Sequence, residues 1–314
     1  MKDQIIILIP VYNDGQSAKR LLSELASVFK DFTTSHFSVL LIDDGSTEKL
    51  NITGIPSLPV SILHLQRNIG HQKAIAIGMA YIKENRACEK IIVMDSDGED
   101  RPEDAARLLK ASTDNPGRII FARRKSRQEG SRFQLFYKIY KFVFRILTGR
   151  KITFGNFLLM PAVLLDRVVF YSEIWSHIAG GILKTGLPYT SLDTHRGKRY
   201  DGNSKMSFNL LLMHGLGAIA VFIEIIASRL LIFSLLLIGI SLIIILTILG
   251  IKIFTDKAIP GWASTVTSAM LIILLQSFLL SLFTIFLYLS SQSQRKFIPA
   301  KHYKDYTGDV ETIQ

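Results

Sequence analysis

Two stretches of this 314-residue chain, Leu230–Ile251 and Val266–Leu289, contain no charged residue. Each exceeds the ~20 residues a helix needs to cross a hydrocarbon core of ~30 Å, and a core helix of a soluble protein rarely runs so far without a charge. The reading is therefore two membrane spans joined as a hairpin over 229–290. The apolar run Ile5–Ile9 is too short for the core of a signal peptide, so no leader is expected. Between the spans, Lys252–Ser264 carries two lysines and one aspartate. Lys205 and Arg229 precede the first span, and Arg295, Lys296, Lys301 and Lys304 follow the second. This bias puts both the large N-terminal part and the basic tail, 291–314, in the cytoplasm. The single cysteine, Cys88, excludes an internal disulfide and fits a reducing compartment.

Ahead of the spans the pattern is one of alternating strands and helices. Ile5–Ile9, Phe37–Ile42, Val60–Leu65, Lys90–Met94 and Arg118–Ala122 read as strands. Ser17–Phe32, Gln72–Glu84 and Pro102–Ala111 read as helices, the last with a proline near its first turn. Repeated βα units imply an α/β domain, 1–205, on a mainly parallel sheet, with ligands bound beyond the carboxyl ends of the strands. Two further segments suit a membrane interface. Arg132–Leu147, within 132–148, interleaves aromatics with Lys138, Lys141 and Arg145 on one helical face, and Ser207–Ser228, within 206–228, is a still more apolar helix feeding the first span.

The net charge of +11 calls for anionic partners. No nucleic-acid motif is present and the cations gather beside the apolar segments, so lipid headgroups and phosphate-bearing substrates account for the excess, with no role for nucleic acid.

The chemistry concentrates in Asp95-Ser96-Asp97-Gly98-Glu99-Asp100, at the end of a strand. Carboxylates two residues apart can reach one divalent ion, and four in six residues repel one another unless cations sit among them. Such an ion neutralises charge that develops on a diphosphate leaving group. Arg123, Arg124 and Arg127 follow another strand and precede the amphipathic segment, while Arg199 and Lys205 flank Gly202 just before the chain returns to the membrane. Guanidinium forks and an ammonium suit a phosphate arriving from a lipid surface.

Ile9-Pro10-Val11-Tyr12-Asn13-Asp14, Asp43-Asp44-Gly45-Ser46 and Asp95-Ser96-Asp97 stand in the order and spacing of family 2 glycosyltransferases. Together with Arg123-Arg124, the Arg199–Lys205 stretch and the paired spans, the chain resembles the polyprenyl-phosphate glycosyltransferases of the GT-A fold. The resemblance implies a Rossmann-like catalytic domain and inverting transfer of a hexose from a UDP- or GDP-sugar, UDP-glucose by default, to a polyprenyl phosphate. It implies nucleotide contacts at Pro10, Tyr12, Asp14, Asp43, Asp44, Gly70 and Ser204. Mg²⁺ or Mn²⁺ would lie on Asp95 and Asp97, with Glu99 where related synthases often carry a Gln ligand. Arg123, Arg124, Arg127, Arg199 and Lys205 would face the lipid phosphate. A phosphate monoester needs no strong general base, so such an enzyme works by positioning and electrostatics. His71 reads as a helix-start residue.

Two features depart from that pattern. Position 14 is Asp where Glu is commoner, and Gly155-Asn156-Phe157-Leu158-Leu159 stands where close relatives have G-D-F-R-L. The second substitution keeps a non-catalytic scaffold on the same fold in play. A processive or protein-modifying transferase is the other rival, but neither Trp175 nor Trp262 follows an arginine, so the Q-x-x-R-W signature is missing. Apolar interfacial helices and a two-span anchor are compatible with self-association.

Overall fold

The structure is a computed structural model that describes residues 3–52, 58–124, 131–150, 154–201, 208–255, 261–293 and 296–313. The chain forms two compact units. One comprises Met1–Lys141, Lys151–Val221 and Lys296–Gln314, and the other Phe142–Arg150 and Phe222–Arg295.

The first unit is built on β1 (Asp3–Val11), whose unbroken apolar run serves both faces of a sheet. Ile6 and Leu8 enter one core, and Ile5, Ile7, Ile9 and Val11 enter the other. Helix α1 (Gly15–Phe29) buries Leu21, Leu22 and Leu25, and β2 (Ser35–Asp43) and β3 (Val60–Leu65) extend the sheet in parallel. Helix α2 (His71–Asn85) packs Ala74, Ile77 and Met79 against the sheet, and Gly78 fits where a Cβ would stand 2.5 Å from Leu8. Strand β4 (Lys90–Val93), helix α3 (Pro102–Asp114) and strand β5 (Ile119–Arg124) follow. Beyond α4 (Ser131–Thr148) come β6 (Leu158–Pro161), α5 (Ala162–Val168), α6 (Ile178–Thr185) and β7 (Tyr189–Thr194).

The strand order is β7-β5-β6-β4-β1-β2-β3-β8, with β8 spanning Thr307–Ile313. The β4-β1-β2-β3 block and the β5-β7 pair are parallel, whereas β6 runs antiparallel to β4 and β5, and β8 antiparallel to β3. This is the mixed, mostly parallel sheet of a GT-A fold. The segment 291–314, read as a basic tail, does more than carry charge. Its Phe297 ring lies 3.8 Å from that of Trp175, Ala300 donates to the Val169 carbonyl at 3.1 Å, and Tyr303 is buried in the α2 core. Strand β8 escaped the sequence reading because an edge strand with one exposed face needs little apolar alternation.

The remaining elements are α7 (Phe208–Ala220), α8 (Ile223–Phe254), α9 (Trp262–Ser293) and α10 (Pro299–His302). The continuous helix expected over Ser207–Ser228 is broken at Val221-Phe222. Phe222 is almost fully buried, its ring 5.9 Å from that of Phe144 in an edge-on contact, and the α8 span helix starts directly after it. Packing of that ring outweighs helical continuity. Helices α8 and α9 are both long and apolar enough to cross a membrane. Their buried positions include Ser234, Ser241, Ser277, Ser281 and Thr284, and the hydroxyls of Ser234 and Ser281 meet at 2.6 Å. Small side chains let the two helices approach closely while the large apolar ones point outward.

Candidate active site

Three loops meet at the carboxyl ends of β1, β2 and β4. The loop after β1 is tied to the loop after β2: Asn13, at φ +48°, donates its N–H to Ser46 Oγ at 3.0 Å and accepts from the Thr47 N–H at 2.9 Å. Asp43 Oδ1 accepts from the Ser46 N–H at 3.0 Å, which fixes the turn. Gly45 sits at φ +66°, where a Cβ would come within 2.5 Å of the Asn68 backbone, so the β2 loop closes directly on the Arg67–Gly70 turn. Asp44 secures that turn by accepting from the Ile69 and Gly70 N–H groups at 2.8 and 2.9 Å. Burial raises the Asp44 carboxyl above its usual range, against the pull of those two donors. Gly70 takes φ +94°, a conformation that suits glycine. Pro10 is buried in β1, Tyr12 is exposed beside it, and Asp14 accepts from Ser96 Oγ at 3.3 Å.

The acidic loop is neutralised by the protein's own cations. His71 Nε2 lies 2.8 Å from Asp95 Oδ1. Arg199 pairs with Asp97, Arg196 with Glu99 at 2.6 Å, and Arg124 with both Glu99 at 3.2 Å and Asp100 at 2.8 Å. Asp100 is 2% exposed, and its second oxygen accepts from the Asp95 N–H at 3.0 Å, so it braces the loop from below. Gly98, at φ +84°, lets the loop fold under the Tyr200 ring, and the Gly197 and Tyr200 N–H groups donate to the Glu99 and Asp97 carbonyls at 2.9 Å. Tyr200 in turn bonds Glu24 and stacks under the Arg20 guanidinium.

The charges shift accordingly. Desolvation opposes ionisation of Asp95, but His71, Arg124 and Arg199 outweigh it and lower its pKa. Burial, then the Asp95 charge, raises Asp97 and pushes Asp100 up to about 7. The imidazole of His71 is raised: desolvation works against its charge and Asp95 overrides it.

Asp95 and Asp97 therefore lie together, as their spacing suggested. The Glu99 carboxylate lies between Arg124 and Arg196, at 3.2 and 2.6 Å. No group of three or more His, Cys, Asp or Glu side chains able to hold a metal occurs among the described residues. Mg²⁺ and Mn²⁺ sites built around a substrate diphosphate commonly draw on only one or two protein carboxylates, and the Asp95–Asp97 pair fits that chemistry. Arg123 pairs with Asp193 at 2.6 Å. Arg127, Ser204 and Lys205 lie outside the described residues. Asn156 Nδ2 stands 3.5 Å from His71 Nδ1, which brings the divergent Gly155–Leu159 stretch to the acidic loop. Arg196 was not singled out in the sequence, and His71 was read only as a helix-start residue. An arginine three positions before Arg199 was the one available signal, since nothing local relates position 71 to position 95.

An α/β sheet with an Asp-x-Asp loop at a strand end, faced by a two-aspartate loop, is the architecture of the GT-A fold. The model of the glycosyl transferase family 2 domain matches residues 6–168, and the chain belongs to that family. It is a glycosyltransferase. Similar proteins include the uncharacterized glycosyltransferase YkcC of Bacillus subtilis (strain 168), 27% identical over 85% of this chain and 83% of that one. The undecaprenyl-phosphate 4-deoxy-4-formamido-L-arabinose transferase of Salmonella choleraesuis (strain SC-B67) is 26% identical over 67% of this chain and 64% of its own. Among solved structures, glucosyl-3-phosphoglycerate synthase from Mycobacterium tuberculosis, in complex with Mn²⁺, UDP-glucose and phosphoglyceric acid, superposes with a TM-score of 0.53. It is 13% identical over 71% of this chain and 80% of that one, a likeness of fold.

Proposed function

We propose that this protein transfers a hexose, glucose by default, from a nucleotide-sugar to a polyprenyl phosphate at the cytoplasmic face of a membrane, with inversion at the anomeric carbon. The observation that carries this reading is an Asp-x-Asp loop ringed by Arg124, Arg196 and Arg199 in a chain that also holds two apolar 32-residue helices. The undecaprenyl-phosphate transferases among its relatives support the acceptor, and the Mn²⁺–UDP-glucose complex of its structural neighbour supports the donor and the metal.

Pro10, Tyr12, Asp14, Asp43, Asp44, Gly70 and Ser204 contact the nucleotide half of the donor. Asp95 and Asp97 hold Mg²⁺ or Mn²⁺, which when bound neutralises the charge that grows on the leaving nucleoside diphosphate. The acceptor phosphate is largely ionised near neutral pH, so its oxygen attacks the anomeric carbon without a general base, and the pair of electrons in the glycosyl bond leaves with the diphosphate. The protein supplies position and field. Arg199 pairs with Asp97 here, and a guanidinium engages a phosphate in the same bidentate way as a carboxylate. Arg123, Arg124, Arg127 and Lys205 are assigned to the lipid phosphate. The catalytic domain and the segment after α9 are cytoplasmic, and the exposed Lys138 and Arg145 of α4 meet anionic headgroups.

The test is transfer from labelled UDP- and GDP-sugars to undecaprenyl phosphate, with Mg²⁺ or Mn²⁺ and with EDTA. A chloroform-soluble product that appears with one donor and vanishes in EDTA supports the reading. Nucleotide and metal binding without any lipid product overturns the acceptor assignment and favours a different acceptor or a scaffold role, the alternative that Asn156 and Leu158 raise.

A further inference from the structure

Both aspartates at the end of β2 are held, through intermediates, by the chain end that follows α9. His64 Nδ1 lies 2.9 Å from Asp43 Oδ2, and the opposite nitrogen of the same ring lies 3.5 Å from the Glu311 carboxylate on β8. The other Asp43 oxygen fixes the Ser46 N–H, and Ser46 Oγ receives the Asn13 N–H. A carboxylate–imidazole–carboxylate chain thus runs from β8 into the two loops assigned to the nucleotide. The β3–β8 register is irregular at this point: Leu63 pairs with Val310 and Leu65 with Thr307, so β8 carries an extra residue opposite His64. Bulges of this kind re-aim side chains, and Gly308 allows this one to close, since a Cβ there would stand 3.2 Å from the His64 carbonyl.

The second aspartate is reached by a second route. The Gln66 N–H donates to the Tyr306 carbonyl at 3.0 Å, Gln66 Nε2 reaches the Thr307 carbonyl at 3.4 Å, and the Arg67 guanidinium lies over the Tyr306 ring. These contacts hold the start of the turn whose Ile69 and Gly70 N–H groups bind Asp44. The edge strand thus reaches the β2 loop through His64, and the Arg67–Gly70 turn through Gln66 and Arg67.

We propose that His64 and Glu311 are positioning residues for the donor nucleotide, so that the segment following the membrane hairpin is a working part of the donor site. The proposal rests on the nucleotide-sugar reading above. Its test is equilibrium binding of UDP and of GDP, with Mg²⁺ or Mn²⁺, to the full chain in detergent, with far-UV circular dichroism and thermal unfolding of each variant as the folding control. His64→Ala is expected to weaken binding about tenfold, the worth of one hydrogen bond to a charged group. His64→Asn, whose amide can donate from the position of Nδ1, restores binding to within about threefold of wild type. Glu311→Gln, at an exposed strand position that does not endanger folding, weakens it about threefold, and Asp309→Ala on the same strand leaves it unchanged. With an active donor in hand, the His64→Ala loss falls on KM and leaves kcat within about twofold, since positioning of the nucleotide is uniform binding. Equal affinity in wild type and His64→Ala overturns the proposal, as does an Asn variant no better than Ala, which signals packing alone. A wild-type protein that binds neither nucleotide removes the donor reading itself, and this proposal with it.

Discussion

Replacing Arg124 with Met isolates the electrostatic logic of the acidic loop. Methionine keeps the length and apolar stem of the side chain and removes only the guanidinium. Glu99 retains Arg196, but Asp100, buried beneath the loop, loses its ion-pair partner in the substitution. Breaking a buried pair from one side costs about 3 kcal/mol, because the remaining charge is stranded in a medium that solvates it poorly. For a unit of this size that corresponds to a fall in Tm of roughly 6–12 °C. The cost depends on pH in a defined sense. Asp100 already has its pKa raised to about 7 by burial and by Asp95, so the folded state takes up its proton more readily than the unfolded chain does. Losing Arg124 raises that pKa further. Below the unfolded carboxyl range Asp100 is neutral in both states and nothing is lost; as pH climbs through 7 the penalty grows. Thermal unfolding in detergent, followed by tryptophan fluorescence, should therefore show a larger deficit at pH 8 than at pH 6. In the Asp100→Asn background the same substitution should cost less than about 1 kcal/mol. Equal deficits at both pH values, or simple additivity in the double variant, would refute the account.

Three further outcomes are expected. Asp97→Ala should abolish metal-dependent nucleotide binding, measured by calorimetry with and without EDTA, while leaving the circular dichroism spectrum intact. Gly98→Ala places a Cβ 2.7 Å from the Tyr200 ring at φ +84°, and should destabilise the protein by about 2 kcal/mol in thermal unfolding. Glu173 is opposed by burial, but Lys184 at 2.9 Å outweighs it and lowers its pKa below the ordinary 4.5. That stabilisation is present above 4.5 and fades as pH falls through the lowered value, so Glu173→Gln should flatten the acid limb of the stability profile.

The parallel core of the sheet was legible in the sequence because β1 to β5 carry runs such as Ile5–Ile9 that only a strand buried on two faces explains. The motifs at their carboxyl ends were legible for the same reason: the position of a loop follows once its strand is known. What stayed hidden is long-range. Strand β6 has only four residues, and β7, Tyr-Thr-Ser-Leu-Asp-Thr, reads as a polar loop until β5 supplies its ladder. The four carboxylates of the acidic loop were read as calling for cations. The sequence could not reveal that Arg124, Arg196, Arg199 and His71 already stand among them, because those residues are brought to 95–100 by three separate parts of the chain: the end of β5, the loop after β7 and the start of α2.

The pairing of β8 with β3 has a consequence in time. Residues 60–65 leave the ribosome long before residues 307–313 exist, by roughly 10–50 s at ~5–20 residues per second, and both apolar helices are made in the interval. Throughout that delay β3 presents a bare edge, the kind of surface that recruits wrong partners. The edge is closed only once the hairpin has been synthesised and the chain has come back. A nascent chain that stalls before residue 307 therefore carries an unfinished sheet, which makes completion of synthesis a natural checkpoint on maturation.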